Sequence, residues 1–181
     1  MLIVGFALFS SGTEAANSDV EIHCVAKKVN EETKKAAQGS RVVVQEGSVN
    51  IVSGGGTNRT KENWIYELTI ENKTFKELNG LEVRYAIFFN KEKLGVKAAP
   101  TVQHQNGTLN IPALKPHEKQ TFSTDAVELD KANLVGEWHY TNGAKPGAHD
   151  TLVGLALRIF QNGQQFAEYA NPSTLLREKW E

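Results

Sequence analysis

A chain of 181 residues suits one domain, or one domain with tails. With 40% hydrophobic and 23% charged residues it carries enough apolar surface for a real core, and its composition is not that of a disordered chain. A net charge of −1 and a pI near 6.5 provide no global attraction to nucleic acid or to anionic membranes, and so argue against both as partners.

The first element in chain order is an address. "LIVGFALF" at 2–9 is an apolar run followed by small residues, with Thr13-Glu14-Ala15 a small-x-small cleavage pattern, so residues 1–16 read as a signal-peptide-like segment. Eight apolar residues are too few for a membrane span, which takes about 20 in a helix. The expected location is therefore secreted, periplasmic or on the outer cell surface, with no membrane span. Residues 17–171 are expected to form one domain, and 172–181 a polar C-terminal tail in which Trp180 is mobile.

Within the domain the dominant signal is period-two alternation, the mark of a half-buried strand. "DVEIHCVAKKV" at 19–29 puts Val20, Ile22, Cys24 and Ala26 on one face. There Cys24 reads as a buried, inert thiol, and His23 points to the opposite side. "NEETKKAAQG" at 30–39 looks helical, with Asn30 as cap and Gly39 as stop. "RVVVQEGSVNIV" at 41–52 is the next strand candidate, and "SGGGTNRTKEN" at 53–63 reads as a loop. In "NWIYELTIE" the residues Trp64, Tyr66, Leu68 and Ile70 share a face, and in "LEVRYAIFF" Leu81, Val83, Tyr85, Ile87 and Phe89 do. A second loop is expected at 90–100. Further strands are expected at 108–114, 119–129, 134–140, 151–160 and 164–170. Gly154 and Ala156 keep one face of "TLVGLALRIF" small, which predicts close approach by a neighbouring layer. Asn-Gly pairs at 79–80, 106–107, 142–143 and 162–163 supply the positive φ that type I′ hairpin turns require. Short strands with regular turns and no alternating helices predict an all-β antiparallel β-sandwich with one short helix.

No stretch specifies a reaction. The Gly54-Gly55-Gly56 run has no Gly-Lys-Ser/Thr after it and leads into a strand, so it is not a phosphate loop. The five histidines follow no zinc-ligand spacing, although His139, His149 and Asp150 flank one loop. No Gly-x-Ser-x-Gly elbow is present. Glu67 with Glu71, or Glu67 with Glu82, are the carboxylate pairs considered for glycoside hydrolysis, and solvent-facing charge explains them as well. The expectation is a non-enzymatic protein with no catalytic, cofactor or metal residues. Its partner is a protein, with a glycan as the alternative, bound on a stacking platform built from Trp64, Trp138, Trp180 and the tyrosines. The strand "QQFAEYA" is short, partly polar and ended by Pro172, so it is the expected edge, with Phe166 and Tyr169 as its partner-binding residues.

"YELTIENKTFKELNGLEVRYAIFF" and "LALRIFQNGQQFAEYANP" resemble secreted immunoglobulin-like proteins of verrucomicrobial gut bacteria, some of them linked to type IV-like pili and compared with immunoglobulin-like subunits of archaeal pili. "IPALKPHEKQTFST" resembles the Leu-x-Pro-x-Glu corner of bacterial immunoglobulin-like sandwiches. The resemblance implies an immunoglobulin-like fold, export and a pilus-associated or adhesive role at the cell surface. It implies no catalytic or ligand residue.

Overall fold

The computed structural model describes residues 19–34, 40–45, 48–53, 56–135 and 140–180, with the backbone alone at 40–45 and 48–53. The signal-like segment, residues 35–39 of the expected helix, Trp138 and His139 lie outside the described residues. Two antiparallel sheets pack face to face. The first has the order β1-β4-β8-β9, with β7 also on β4, and the second has the order β11-β10-β5-β6. Their strands are β1 (Val20–Lys34), β4 (Thr57–Asn72), β7 (Lys119–Ser123), β8 (Val127–Leu134) and β9 (Gly147–His149), against β5 (Leu78–Lys91), β6 (Thr101–Leu114), β10 (Thr151–Gln161) and β11 (Gln164–Asn171). β2 (Ser40–Gln45) and β3 (Ser48–Ser53) form a separate two-stranded sheet. The chain crosses between layers after β4, after β6 and after β9, which is the immunoglobulin type of sandwich.

Alternation explains the core. Tyr66, Leu68 and Ile70 of β4, with Val20 and Ile22 of β1, meet Leu81, Val83, Tyr85 and Ile87 of β5 and Leu155, Leu157 and Ile159 of β10. Each such fully buried aliphatic or aromatic side chain contributes about 1.5–3 kcal/mol relative to exposure. β4 serves as a shared spine, because its sixteen residues span two neighbours in succession. Its first half pairs β8 from Thr57↔Leu134 to Trp64↔Val127, and its second half pairs β7 from Glu67↔Ser123 to Glu71↔Lys119.

The corner between layers is built from the "IPALKPHEK" stretch. The Lys115 N–H donates to the Glu118 Oε2 at 2.7 Å, the Glu118 N–H donates back to the Lys115 carbonyl at 3.0 Å, and His117 sits at φ 59°. Asn72 locks this corner from within. It is fully buried, its Nδ2 donates to the carbonyls of Lys76, Leu114 and Lys115, and its Oδ1 accepts from the Thr74 N–H and hydroxyl. The glycosylation sequon at Asn72 is therefore a buried structural amide.

Several expectations give way. The capped stretch at 30–34 continues β1, with Asn30 opposite Asn63 and Lys34 opposite Arg59. A ten-residue helix is marginal alone, and a cross-strand ladder outcompetes its cap. The glycine loop is shorter than expected, since β4 begins at Thr57. The single strand expected at 41–52 is two, β2 and β3, and 119–129 divides between β7 and β8. Of the Asn-Gly pairs, Asn162-Gly163 alone makes the β10–β11 hairpin turn, both residues having positive φ (52° and 78°). Asn142-Gly143 closes a turn in the β8–β9 connection, with the Gly143 N–H donating to the Tyr140 carbonyl. Asn79-Gly80 and Asn106-Gly107 lie inside β5 and β6. Gly107 is required there by space, because a Cβ would collide with the buried Tyr85 ring, which crosses the core to exchange hydrogen bonds with Asp125 at 2.8 and 3.0 Å.

On the exposed side of the first sheet a charge ladder joins three elements. Glu71 accepts from Lys73 and Lys119, both at 2.9 Å, and Lys73 also reaches Glu21 of β1. The Lys73 and Lys119 ammonium groups hold the Glu71 carboxyl down to about 2. A depressed folded-state pKa contributes stability that is complete above the ordinary carboxylate range and is lost as pH falls through the folded value. Urea midpoints are therefore expected to decline between pH ~4.5 and ~2, and Glu71→Gln to flatten that decline. A Glu71→Gln curve parallel to the parent would discard the ladder as a source of acid sensitivity.

Candidate functional site

The sequence-level candidates for chemistry resolve into structure. Cys24 lies half-buried against the core, with its Sγ 3.6 Å from the Tyr169 hydroxyl, and burial pushes the thiol up. Burial also raises the Tyr66 and Tyr169 phenols. This is the setting of an inert thiol, as expected.

Asp150 is buried and saturated. Its Oδ1 accepts the Glu92 N–H at 3.0 Å, its Oδ2 accepts the Asp130 N–H at 2.9 Å, and Lys91 Nζ lies 2.7 Å away. A carboxylate so committed ties β5, β8 and β10 together, with both oxygens engaged by the protein's own donors. Among the described residues no group of three or more His, Cys, Asp or Glu side chains could hold a metal ion.

Glu67 and Glu82 fall on different sheets and cannot be cross-strand neighbours. Glu67 pairs with Lys27, and Glu82 with Arg84. The expected stacking platform is also dispersed. Tyr66, Tyr85 and Tyr169 are core residues, and Trp64 packs on the core rim with its indole N–H on Glu62.

Trp180, expected to be mobile, is buried. The last residues form a 3₁₀ turn, Ser173–Arg177, and lie across the outer face of the second sheet. There Leu175 and Trp180 cover Ala86, Phe88, Ala156 and Ala170. Asn106 Nδ2 donates to the Trp180 carbonyl at 2.6 Å, and the Arg158 guanidinium stands 4.8 Å from the indole centroid. The small face of β10 is thus explained by the chain's own end, which is the neighbouring layer that Gly154 and Ala156 predict.

The sheet edges offer backbone groups that a further strand could use. β11 is an edge, as predicted, but its two named residues do not face outward. Tyr169 is buried in the core. The register shift between Ile159 and Phe160 falls opposite Phe166, which packs against the core as well. Charge placed at either position would act on packing before it acted on a partner. β11 and β1 also carry the usual protections of an edge. β11 is short, bulged and charged at Glu168, and β1 carries Glu21, Lys27, Lys28, Glu31, Glu32 and Lys34 and shifts register between Lys28 and Asn30.

β6 has few of these protections. It is 14 residues long, about 46 Å at strand rise, and pairs with β5 from Leu78↔Leu114 to Lys91↔Thr101 without a register shift. Its sequence, TVQHQNGTLNIPAL, contains no Asp, Glu, Lys or Arg, and its one proline, Pro112, lies near the end. Thr101, Val102, Gln103, His104, Asn106, Thr108 and Asn110 are exposed. Among the described residues, no backbone group from Thr101 to Ala113 has a backbone partner beyond β5. The sequence reading found the second half of this strand, 108–114, and missed the first. The stretch 101–107 lacks apolar alternation, and Asn106-Gly107 mimics a turn. The legible cue was the absence of charge over fourteen residues.

No helix among the described residues is long and apolar enough to cross a membrane. No family model matches the chain, and no curated protein matches it. Two solved structures are similar in outline. The X-ray structure of a Northeast Structural Genomics Consortium target aligns over 91% of this chain and 96% of its own at 10% identity, with a TM-score of 0.38. A crystal structure from Akkermansia muciniphila, a verrucomicrobium, aligns over 94% and 76% at 8% identity, with a TM-score of 0.24. The all-β sandwich assignment rests on the chain's own two packed antiparallel sheets.

Proposed function

We propose that this protein is a non-enzymatic, extracytoplasmic immunoglobulin-like module that acts through protein–protein contacts at the edge of its second sheet, in a pilus-associated or adhesive setting. The observation that carries this reading is β6, a long, regular, uncharged strand whose backbone groups from Thr101 to Pro112 have no backbone partner beyond β5 among the described residues. Unpaired N–H and C=O groups are a template for an added strand, with main-chain hydrogen bonds supplying affinity. The signal-like start at 1–16 supports an extracytoplasmic setting, and the resemblance to pilus-linked proteins supports the choice of partner class. A glycan platform loses its footing where Tyr66, Tyr85, Tyr169 and Trp180 are spent on packing.

The test is capture from a native cell-envelope fraction by the immobilised full chain. The comparison is with a double variant, Gln103→Lys with Thr108→Lys, at two exposed positions of β6. The expected result is a retained protein that the double variant loses while its circular dichroism is unchanged. Equal retention by the folded variant would remove β6 from the reading.

A further inference from the structure

Resting on the protein-contact reading above, we infer that the occupant of the β6 edge is a second copy of this chain, paired antiparallel with β6 about a twofold axis to give one continuous eight-stranded sheet. Antiparallel pairing of a strand with itself is isologous: residue i meets residue j and j meets i, and only a residue on the axis meets its own copy. A strand carrying several charges can pair with itself only in registers that keep like charges from lying opposite each other, whereas an uncharged strand meets no such conflict in any register. β1 and β11 carry such charges. β6 has none along its 14 residues, and it holds one register throughout its pairing with β5.

The side chains of β6 are also chemically self-complementary. The amides of Gln103 and Asn110 and the hydroxyls of Thr101 and Thr108 each carry both a donor and an acceptor, so any two of them can bond across the pair, while the Gln105 and Asn106 amide nitrogens are engaged with the Ala126 and Trp180 carbonyls. A partner of opposite charge would find nothing on the strand to recognise. The faces on either side of the edge are compatible with continuation of the sheet. On the inner side, Leu109 packs on the core and Ile111 is buried within it. On the outer side, His104 packs against Phe88 at a ring-centroid distance of 5.6 Å, and Asn106 holds the C-terminal segment.

A single strand edge is a narrow interface, so association is expected to be weak and visible at high protein concentration. Sedimentation equilibrium of the full chain over a concentration series is the test. The weight-average mass is expected to rise from 20.0 kDa toward twice that value. Gln103→Lys with Thr108→Lys is expected to hold it at the monomer mass. Val25→Lys, at an exposed position of the β1 edge, is expected to leave association intact and so controls for added charge. A parent chain that stays monomeric, or association that survives the two β6 lysines, overturns self-pairing. Envelope capture run in parallel separates the two ideas. Monomeric parent protein whose capture is still abolished by the β6 lysines leaves the protein-contact reading standing with a different occupant. Loss of both results removes the edge altogether.

Discussion

Asp150→Ala is expected to destabilise the fold by about 3–5 kcal/mol, the sum for two backbone N–H donors left without their acceptor. At this chain length that corresponds to a fall in Tm of about 6–20 °C. Asp150 has a side chain almost wholly withdrawn from solvent, yet it is the common acceptor for the N–H groups of Glu92 and Asp130 and for the Lys91 ammonium. Alanine leaves two N–H groups of the β5 and β8 ends without their acceptor, at a cost of about 1–3 kcal/mol for each that stays dry. Lys91 is half-exposed, recovers water and keeps Asp130 at 3.4 Å, so most of the loss comes from the backbone donors. Asp150→Asn separates shape from charge. Its amide retains one acceptor oxygen but presents an NH₂ group to a second donor, so it is expected to recover less than half of the loss. Differential scanning calorimetry of the two variants checks the order. An Asp150→Ala protein as stable as its parent would mean that these three strands are held together by apolar packing alone.

The second large effect is expected at Gly154. Gly154→Ala places a Cβ against the Asn171 carbonyl oxygen, 2.7 Å from Pro172 Cδ and 2.8 Å from Leu175 Cδ1. Two of these atoms belong to the backbone or to a proline ring and have no rotamer to escape into, so the C-terminal segment must lift or β10 must bend. Forced overpacking costs about 1–3 kcal/mol. Here it also breaks the seal that Leu175 and Trp180 make over Phe88, Ala156 and Ala170. The readout is twofold: a lower urea midpoint, and a red shift in tryptophan emission as Trp180 becomes wet. Gly163→Ala is the control, since nothing lies within 4 Å of its Cβ and its cost is confined to a positive φ of 78°. Unchanged emission in Gly154→Ala would show that the segment accommodates a methyl group by sliding along the sheet.

How far the sequence could be read depended on whether a residue's partner was implied by its own neighbours. The face shared by Tyr66, Leu68 and Ile70, and that shared by Leu81, Val83, Tyr85 and Ile87, were legible because alternation along one strand fixes which side is buried. Asn162-Gly163 was legible because its turn closes over two adjacent residues. Asn106-Gly107 has the same chemistry but lies in mid-strand, since the ring of Tyr85, 22 positions earlier in the chain, takes the space where a side chain would stand. Asn30 carried a helix cap signal, and Asn63 drew it into a ladder instead. The strand named as an edge, β11, is one, but its named residues Phe166 and Tyr169 pack on the core. A strand's own letters say whether it has two faces, and they do not say whether it has a second neighbour.

Two-residue rhythm, turn chemistry and the balance of apolar and charged residues, all properties of adjacent positions, determined the all-β sandwich and the inert setting of Cys24. The closing of the outer face by Leu175 and Trp180, the commitment of Asp150 to backbone donors and the exposure of β6 as the open edge were decided by tertiary structure alone. Each depends on which distant segment arrives at a surface, and burial and hydrogen-bond satisfaction are settled only when it does.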